Sequence, residues 1–418
     1  MTASSAIGAP EPDALLQLAD QCVKCGYCLP ACPTFGLEQT EAESPRGRIA
    51  LIQGWLNAEL PPSRVLFQHL DQCLECRACE AVCPSLVRFG DLMDGARALR
   101  QARRPWWQRG LRQRWLQLLS QPRWLGLFAL WGWLTRLGAH LRRPAWRMQR
   151  WPGLRIMGRL STRWHLPRQP QRATPSTTTP SNTVPRIGLF LGCVARGTQG
   201  ASIDAARRLL TQLHIPYTEP QQQGCCGALL HHHGFVEDAA HQLAQNAQAF
   251  RGLTLVGFAS ACVLELQRHE ALRAEEICHF LIASGALTQV APRPLTARVW
   301  VHEPCSQRLL PGGASAIYQL LALIPNLELQ PLAGNDSCCG AAGSYLIEHA
   351  HTALALLEPK LQALRAQPPD YLVTTNSGCA LHLASGLAAA GLDIPVLHPI
   401  ELLERQLRPL QQEPESDL

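Results

Sequence analysis

Two stretches decide the fold of the first quarter of the chain: CVKCGYCLPACP, Cys22 to Pro33, and CLECRACEAVCP, Cys73 to Pro84. Both have the spacing CxxCxxCxxxCP, so eight cysteines fall into two matching groups about fifty residues apart. Between them, the segments RIALIQGWL and Ser63 to Leu70 have the pattern of helices. The sequence therefore predicts an α-helical domain over residues 11–100 that is organised around two groups of thiols.

The spacing within each group favours iron-sulfur ligation. Two-residue gaps curl the backbone so that three thiolates converge on one cube, and the fourth cysteine, followed by proline, normally completes the other cluster. The motifs therefore predict two [4Fe-4S] clusters with these ligands: Cys22, Cys25, Cys28 and Cys83 for the first, and Cys73, Cys76, Cys79 and Cys32 for the second. The alternative is a pair of closed zinc sites, which prefer two plus two ligands with a long gap between them.

Length and composition narrow the class of protein. The chain has 418 residues, of which 46% are hydrophobic, enough for two or three domains with ordinary cores. No apolar run approaches the roughly 18 residues that a membrane-spanning helix needs. The net charge of +6 is too small to indicate nucleic acid by itself. A disordered chain and a polytopic membrane protein are both excluded.

The 17 cysteines favour ligation over disulfides. The N-terminal residues lack the charged start and apolar core of a secretory signal, which predicts a reducing, cytoplasmic location. Structural disulfides are rare there and serve mainly small domains without a core. We therefore expect most of these cysteines to bind metals or clusters.

The middle of the chain has a different composition. Residues 100–168 contain sixteen Arg, nine Trp and no Asp or Glu, and predict a helical arm over 101–166. Residues 167–185 are rich in Pro, Ser and Thr and have the composition of a linker.

The rest of the chain contains an internal repeat, over 186–292 and 293–410. RIGLFLGC, ending at Cys193, matches ARVWVHEPC, ending at Cys305, and the later GCCGA matches SCCGA. Apolar strands that alternate with helical segments predict two α/β units, each with a mostly parallel sheet. The predicted fold is α+β and multidomain: a helical dicluster ferredoxin domain, an Arg/Trp-rich helical segment and a pseudo-symmetric pair of α/β units.

Each repeat places four cysteines where a parallel sheet gathers them, at the carboxyl ends of strands and in a CCG turn. Gly227 and Gly340 permit the tight turn, and a helix expected after it favours thiolate over thiol. The candidate metal ligands are Cys193, Cys225, Cys226 and Cys262 in the first repeat and Cys305, Cys338, Cys339 and Cys379 in the second. A further iron-sulfur cluster, zinc, or thiols without metal all remain open, whereas Cys278 has no counterpart and is predicted to be a core thiol.

The combination resembles the iron-sulfur subunit of bacterial glycolate oxidase, a dicluster ferredoxin domain followed by two CCG repeats of the heterodisulfide reductase type. The resemblance rests on SPRGRIALIQ at Ser44, HLDQCLECRACEAVCPSLVRF at His69, GCCGALLHH at Gly224, CCGAAGSY at Cys338 and TNSGCALHLASG at Thr375. In the heterodisulfide reductase pattern each unit ends with CxxC. Here Glu265 and His382 stand in place of the last cysteine, and His382 is either a ligand or a hydrogen-bonded structural residue.

The resemblance implies an electron-transfer subunit without a catalytic residue or flavin of its own. Companion FAD-binding subunits would oxidise glycolate to glyoxylate, and this chain would pass electrons toward quinone or another acceptor. No GxGxxG motif opens a helix after a strand, which agrees with that division. The alternatives are the iron-sulfur subunit of anaerobic glycerol-3-phosphate dehydrogenase, a subunit for another 2-hydroxyacid such as lactate, and a non-catalytic zinc- or cluster-binding interaction protein.

The Arg/Trp-rich segment has three interpretations. WLGLFALWGWLT, Trp124 to Thr135, is too short to span a bilayer but apolar enough for its interface, where Arg would meet lipid phosphate. This apolar stretch, together with Trp107, Trp115, Trp131 and Trp133, favours peripheral binding of the protein to the inner face of the cell membrane. The segment could equally pack on the ferredoxin domain or a partner subunit; nucleic acid is the least favoured partner.

Overall fold

The structure is a computed structural model that describes residues 11–121, 168–171 and 187–407. The N-terminal part is helical, as the sequence predicts. Its helices are α1 Pro12–Asp20, α2 Pro33–Glu38, α3 Pro45–Leu56, α4 Arg64–Asp71, α5 Ala78–Ala81, α6 Phe89–Ala102 and α7 Trp106–Ser120. Helix α1 packs against α3 and α6, and Leu15, Ile52 and Leu92 are fully buried among them. This small core supports the two cysteine loops.

The SPRGRI stretch forms the start of α3 and holds the first cysteine loop. Ser44 caps the helix by accepting the Gly47 N–H at 2.9 Å, and Pro45 occupies the first helical position. A Cβ on Gly47 would lie 1.8 Å from the Glu41 carbonyl oxygen, so only glycine fits. Arg46 donates to the Lys24 carbonyl at 3.2 Å, between Cys22 and Cys25.

The first repeat is an α/β unit with a four-stranded parallel sheet in the order β2-β1-β3-β4. Its elements are β1 Ile187–Phe190, α8 Cys193–Thr198, α9 Gly200–Gln212, β2 Tyr217–Thr218, α10 Ala228–His231, α11 Val236–Ala249, β3 Thr254–Gly257, α12 Ser260–Leu266, β4 Arg273–Glu276 and α13 Ile277–Ala283. All four residues of β1 are buried, as expected for the centre of a sheet covered by helices on both faces.

The second repeat has the same topology, with the order β6-β5-β7-β8 and every strand parallel to its neighbours. Its elements are β5 Ala297–Val301, α14 Cys305–Arg308, α15 Ser315–Ala322, β6 Leu327–Pro331, α16 Tyr345–Glu348, α17 Ala350–Ala366, β7 Tyr371–Val373, α18 Ser377–Ala389, β8 Val396–Leu397 and α19 Pro399–Leu407. The two tandem parallel-sheet units expected from the internal repeat are confirmed.

The two repeats share one hydrophobic core. Helices α9 and α13 of the first repeat pack against α19 and α15 of the second, and bury Leu209, Ile317 and Leu403 between them. At the strand ends, the Ser260 N–H donates to the Thr375 carbonyl at 3.0 Å. This contact brings the carboxyl ends of the two sheets to the same region.

The described part of the Arg/Trp-rich segment is α7, which packs on the first repeat. Leu116 is fully buried with Leu230 and Phe235, and Trp115 packs partly buried at the edge of this cluster. Trp107 on the same helix is half-exposed. Residues 124–135, with Trp131 and Trp133, lie outside the described residues.

Candidate iron-sulfur sites

The two cysteine loops of the helical domain have the same backbone conformation. Lys24 and Gly26 in the first loop and Glu75 and Arg77 in the second have positive φ, at positions 51 residues apart by their numbering. Left-handed residues on both sides of the central cysteine turn the chain back on itself twice. This double turn is the curl that the CxxCxxC spacing predicts.

One group of thiols lies on the outer side of the domain. Cys22, Cys25, Cys28 and Cys83 line a small cavity together, to which Cys79 also contributes. Burial, followed by the charges of Cys22 and Cys32, raises the pKa of Cys28 although backbone hydrogen bonds oppose the rise. The grouping agrees with the ligand set that the spacing predicts for the first cluster.

The second group is more deeply placed. Burial raises the pKa of Cys79 most, and the neighbouring charges of Cys73, Cys76 and Cys32 raise it further. Cys32 of the first loop is therefore near enough to Cys79 for its charge to act on that thiol. The crossing of the fourth cysteine from one motif to the other group is the arrangement expected for a dicluster domain.

Arg48 of the PRGRI motif ties Cys32 to the second loop. It forms a buried ion pair with Glu43, and its guanidinium donates to the Thr34 hydroxyl at 3.0 Å and the His69 carbonyl at 2.8 Å. The Cys32 thiol contacts the same Thr34 hydroxyl at 3.3 Å. The sequence shows the motif, but only the fold shows that its second arginine supports a thiol.

In the first repeat the four predicted cysteines form a continuous row of contacts. The Sγ atoms of Cys193 and Cys225 are 3.5 Å apart, and Cys226 interacts with Cys225 on one side and Cys262 on the other. A separation of 3.5 Å is far longer than the roughly 2.05 Å of a disulfide, so these are free thiols. Contact with Cys225 and burial raise the pKa of Cys193.

The second repeat has the same row. Cys305 interacts with Cys338, Cys338 with Cys339, and the Sγ atoms of Cys339 and Cys379 are 3.2 Å apart. Contact with Cys338 and burial raise the pKa of Cys305. Buried thiols of this kind lose their protons when a metal binds, because the positive charge of the metal stabilises a thiolate that water does not reach.

The CCG turns depend on their glycines. Gly227 has φ +94° and Gly340 has φ +87°, and a Cβ on Gly340 would lie 2.7 Å from the Ala353 carbonyl oxygen. The backbone N–H of each turn glycine donates to the first cysteine of its CCG motif. Gly227 donates to the Cys225 sulfur at 3.5 Å, and Gly340 donates to the Cys338 sulfur at 3.4 Å. The predicted role of the glycines is confirmed, and these bonds stabilise thiolates.

The helices that adjoin the thiols are partly different from those predicted. A four-residue helix follows the first CCG turn, but the next helix after the second turn begins only at Tyr345. In the second repeat the expected helix directly after the turn is therefore wrong, because residues 340–344 form an irregular loop. Cys193 and Cys305 instead begin helices at the ends of β1 and β5.

A cavity of about 500 Å³ connects the sites. It is lined by all eight candidate cysteines of the repeats and by Cys73 and Cys76 of the helical domain. Cys278 does not line it; this thiol is fully buried in the shared core of the repeats, as predicted. The second thiol group of the helical domain and both repeats thus meet around one space.

Two consecutive histidines of the first repeat contact acidic residues of the helical domain beside this space. His231 lies between Glu265, at 3.1 Å, and Asp94 of α6, at 3.6 Å. His232 pairs with Glu75 and contacts Asp94 at 3.0 Å. Burial opposes a charge on His231, but the two carboxylates outweigh burial and raise its pKa. This network could not be predicted from the sequence, because its acidic residues come from separate segments of the chain.

The two residues that replace the last cysteine of each repeat are engaged elsewhere. Glu265 binds His231, and the His382 ring nitrogen lies 3.2 Å from the Ala353 carbonyl oxygen. Burial lowers the pKa of His382 to about 4, so its ring is neutral. The structure favours the structural interpretation of His382.

His302 is a residue that sequence reasoning missed. His302 follows the last residue of β5. One of its ring nitrogens and the Sγ atoms of Cys339 and Cys379 all lie within 4.8 Å of one another. The only signal in the sequence was its position three residues before Cys305.

No helix among the described residues is long and apolar enough to cross a membrane.

Comparison with known proteins agrees with this organisation. Residues 18–87 match the 4Fe-4S dicluster domain, and residues 187–267 and 299–384 each match the Cysteine-rich domain. The chain is therefore an iron-sulfur protein in which a dicluster domain precedes two cysteine-rich domains. The dicluster domain implies two [4Fe-4S] clusters.

Its homologues include glycolate oxidase iron-sulfur subunits. The chain is 29% identical to the glycolate oxidase iron-sulfur subunit of Escherichia coli (strain K12), over 95% of each chain. It is 28% identical to the probable glycolate oxidase iron-sulfur subunit of Bacillus subtilis (strain 168), over 91% of this chain and 92% of that one. Lactate utilization protein A of Geobacillus kaustophilus is 25% identical over 52% of this chain and 98% of its own length.

Proposed function

We propose that this chain is the iron-sulfur electron-transfer subunit of a flavin-dependent glycolate dehydrogenase. FAD-binding partner subunits oxidise glycolate to glyoxylate, and the chain carries the electrons toward quinone or another acceptor. The proposal rests on homology to glycolate oxidase iron-sulfur subunits over 95% of both chains.

The observation that carries the proposal is the grouping of sixteen of the seventeen cysteines around neighbouring sites. We assign Cys22, Cys25, Cys28 and Cys83 to one [4Fe-4S] cluster and Cys73, Cys76, Cys79 and Cys32 to the other. One further iron-sulfur cluster or a zinc ion is held by the repeats, with these candidate ligands: Cys193, Cys225, Cys226, Cys262, Cys305, Cys338, Cys339 and Cys379.

When bound, such clusters supply one-electron redox chemistry. The residues of this chain hold the clusters and set their surroundings. The backbone N–H groups of Glu75 and Val87 donate to the sulfurs of Cys73 and Cys83 at 3.4 and 3.5 Å, which stabilises the thiolate charge. Arg97, buried beside the second loop, donates to the Cys73 carbonyl at 2.9 Å and adds a fixed positive charge.

A lactate-oxidising complex is the second candidate. It is favoured by the match to lactate utilization protein A, which covers nearly all of that protein. Purified complex separates the two candidates: a kcat/KM for glycolate well above that for lactate supports the first, and the reverse order supports the second.

Peripheral binding to the inner face of the cell membrane is part of the proposal. Exposed Trp106, at 85%, and half-exposed Trp107 lie among arginines on α7, and suit a lipid interface. Flotation of the complex with vesicles that contain anionic lipid tests it. Binding that is lost in high salt supports the contact, and no binding at low salt contradicts it.

The experiment that tests the electron-transfer role uses the complete complex with Cys28→Ala. Quinone reduction should fall to background, while glycolate oxidation with a dye that accepts electrons at the flavin subunit continues. Equal loss of both activities, with the subunits still assembled, would mean that this chain is only architectural.

A further inference from the structure

We propose that His302, through its Nε2 atom, is a protein ligand of the metal centre in the second repeat, beside cysteines of that repeat. The inference extends the proposed function, because it requires a metal or cluster at Cys305, Cys338, Cys339 and Cys379. It replaces His382 as the histidine candidate of this repeat.

The hydrogen bonds around Asn335 determine which ring nitrogen of His302 carries the proton. The Asn335 Nδ2 atom donates to the Val301 carbonyl at 2.8 Å, and its Oδ1 atom accepts the Glu303 N–H at 3.2 Å. The two backbone groups fix the orientation of the amide, since a flip would oppose donor to donor and acceptor to acceptor. His302 Nδ1, 3.2 Å from that same Oδ1, must therefore donate to it.

The proton on Nδ1 leaves a lone pair on His302 Nε2. That atom is buried and has no hydrogen-bond partner among the described residues, in a side chain that is only 1% exposed. Nearly all buried polar atoms in native proteins have a partner, so an unpaired acceptor calls for one. A metal-binding histidine has this form, with one nitrogen held by an oxygen and the other on the metal.

The thiols beside this lone pair are those of the candidate centre. A ring nitrogen of His302 and the Sγ atoms of Cys339 and Cys379 all lie within 4.8 Å of one another, and Nε2 is the ring nitrogen that the hydrogen bond to Asn335 leaves unpaired.

The first repeat lacks this ligand. The position equivalent to His302, 112 residues earlier, is Phe190, a buried ring that packs against Phe250 at a centroid distance of 6.0 Å. The repeats therefore differ in their donors: four cysteines in the first, and four cysteines with one histidine in the second.

The test compares His302→Leu and His302→Cys with the control His382→Leu, which removes another buried histidine of the same repeat. In anaerobically isolated protein, pulsed electron paramagnetic resonance should detect a directly bound nitrogen that both His302 variants lose and the control keeps. If the metal is zinc, X-ray absorption at the zinc edge should show one nitrogen among sulfurs, with the same dependence on the variants. His302→Cys should keep the metal, and spectra of the N-terminal clusters report whether each variant folds.

The outcomes separate this inference from the proposed centre. The role of His302 is overturned if the wild type shows no bound nitrogen, or if His302→Cys shows as much bound nitrogen as the wild type. In that case, a loss of metal in Cys338→Ser still supports the metal centre itself. If Cys338→Ser has the metal content and spectra of the wild type, the second repeat holds no such centre and both are overturned.

Discussion

Cys76 of the helical domain and Cys305 of the second repeat lie close enough for the charge of one to affect the other. Burial raises the pKa of Cys76 most, and the charge of Cys305 is the next cause. Both thiols line the same cavity, although 229 residues separate them in sequence by their numbering. The second ferredoxin-type site thus adjoins the second repeat, a short path for electrons between the two parts of the chain.

Loss of Arg48 should destabilise the dicluster domain. Arg48→Met removes the arginine partner of the buried Glu43 and leaves it only the contact with His69 at 2.6 Å, and breaking a buried ion pair costs up to about 3–5 kcal/mol in the free energy of unfolding. The iron content of the purified protein and its thermal midpoint should both fall. Arg365→Gln is the control, because its ion pair with Glu358 is solvent-exposed and contributes less than about 1 kcal/mol. Equal effects of the two substitutions would contradict the role of Arg48.

The second CCG turn should not tolerate a side chain on its glycine. Gly340→Ala places a Cβ against the Ala353 carbonyl, so the turn must open and the metal content of the second repeat should fall. Gly391→Ala is a matched control: it also has positive φ, +70°, but nothing lies within 4 Å of its Cβ position. If both variants lose metal equally, backbone strain alone explains the effect and the close approach is irrelevant.

Substitutions of two cysteines in the first repeat should have different effects, according to where each thiol lies. Cys225→Ser removes a thiol from the row and should change the visible spectrum and reduce turnover of the complex. Cys278→Ser alters a thiol that is also buried but lies in the core of the repeats, and should leave the spectrum unchanged. An unchanged spectrum and turnover in Cys225→Ser would reduce the first repeat to a scaffold.

The contacts of His231 with Glu265 and Asp94 should stabilise the protein in a pH-dependent way. The raised pKa of His231 means that its stabilising charge is fully present below about pH 6.5 and is lost as the pH rises through the folded-state value. The pKa of Asp94 is lowered, because His232 and His231 outweigh its burial, so Asp94 contributes above about pH 4. The difference in thermal midpoint between wild type and His231→Gln should therefore shrink from pH 6 toward pH 9. A difference that is constant over this range would contradict a charged His231.

The sequence predicted the parts of the site that are local. The CxxCxxC spacing and the CCG turns contain their own geometry, because neighbouring residues set the curl and Gly227 or Gly340 sets the turn. Periodic apolar segments likewise predicted both parallel sheets. The expected helix after the second turn failed, since nothing in the sequence of that loop marks where the next helix begins.

The contacts that join distant segments could not be predicted in the same way. Asp94 meets His231 only because α6 packs on the first repeat, and His302 meets Cys379 only because β5 and β7 are neighbours. No spacing rule links residues so far apart in sequence. The candidate histidine that spacing did suggest, His382, faces a backbone carbonyl instead.

The most direct test of the central claim is the iron and acid-labile sulfide content of the anaerobically isolated protein, with its electron paramagnetic resonance after reduction. Two [4Fe-4S] clusters require about eight iron atoms and about eight sulfides per chain, or more if the repeats also hold a cluster. The reduced protein should show the signals of such clusters. A colourless protein without iron, or one that contains zinc without sulfide, would contradict the claim.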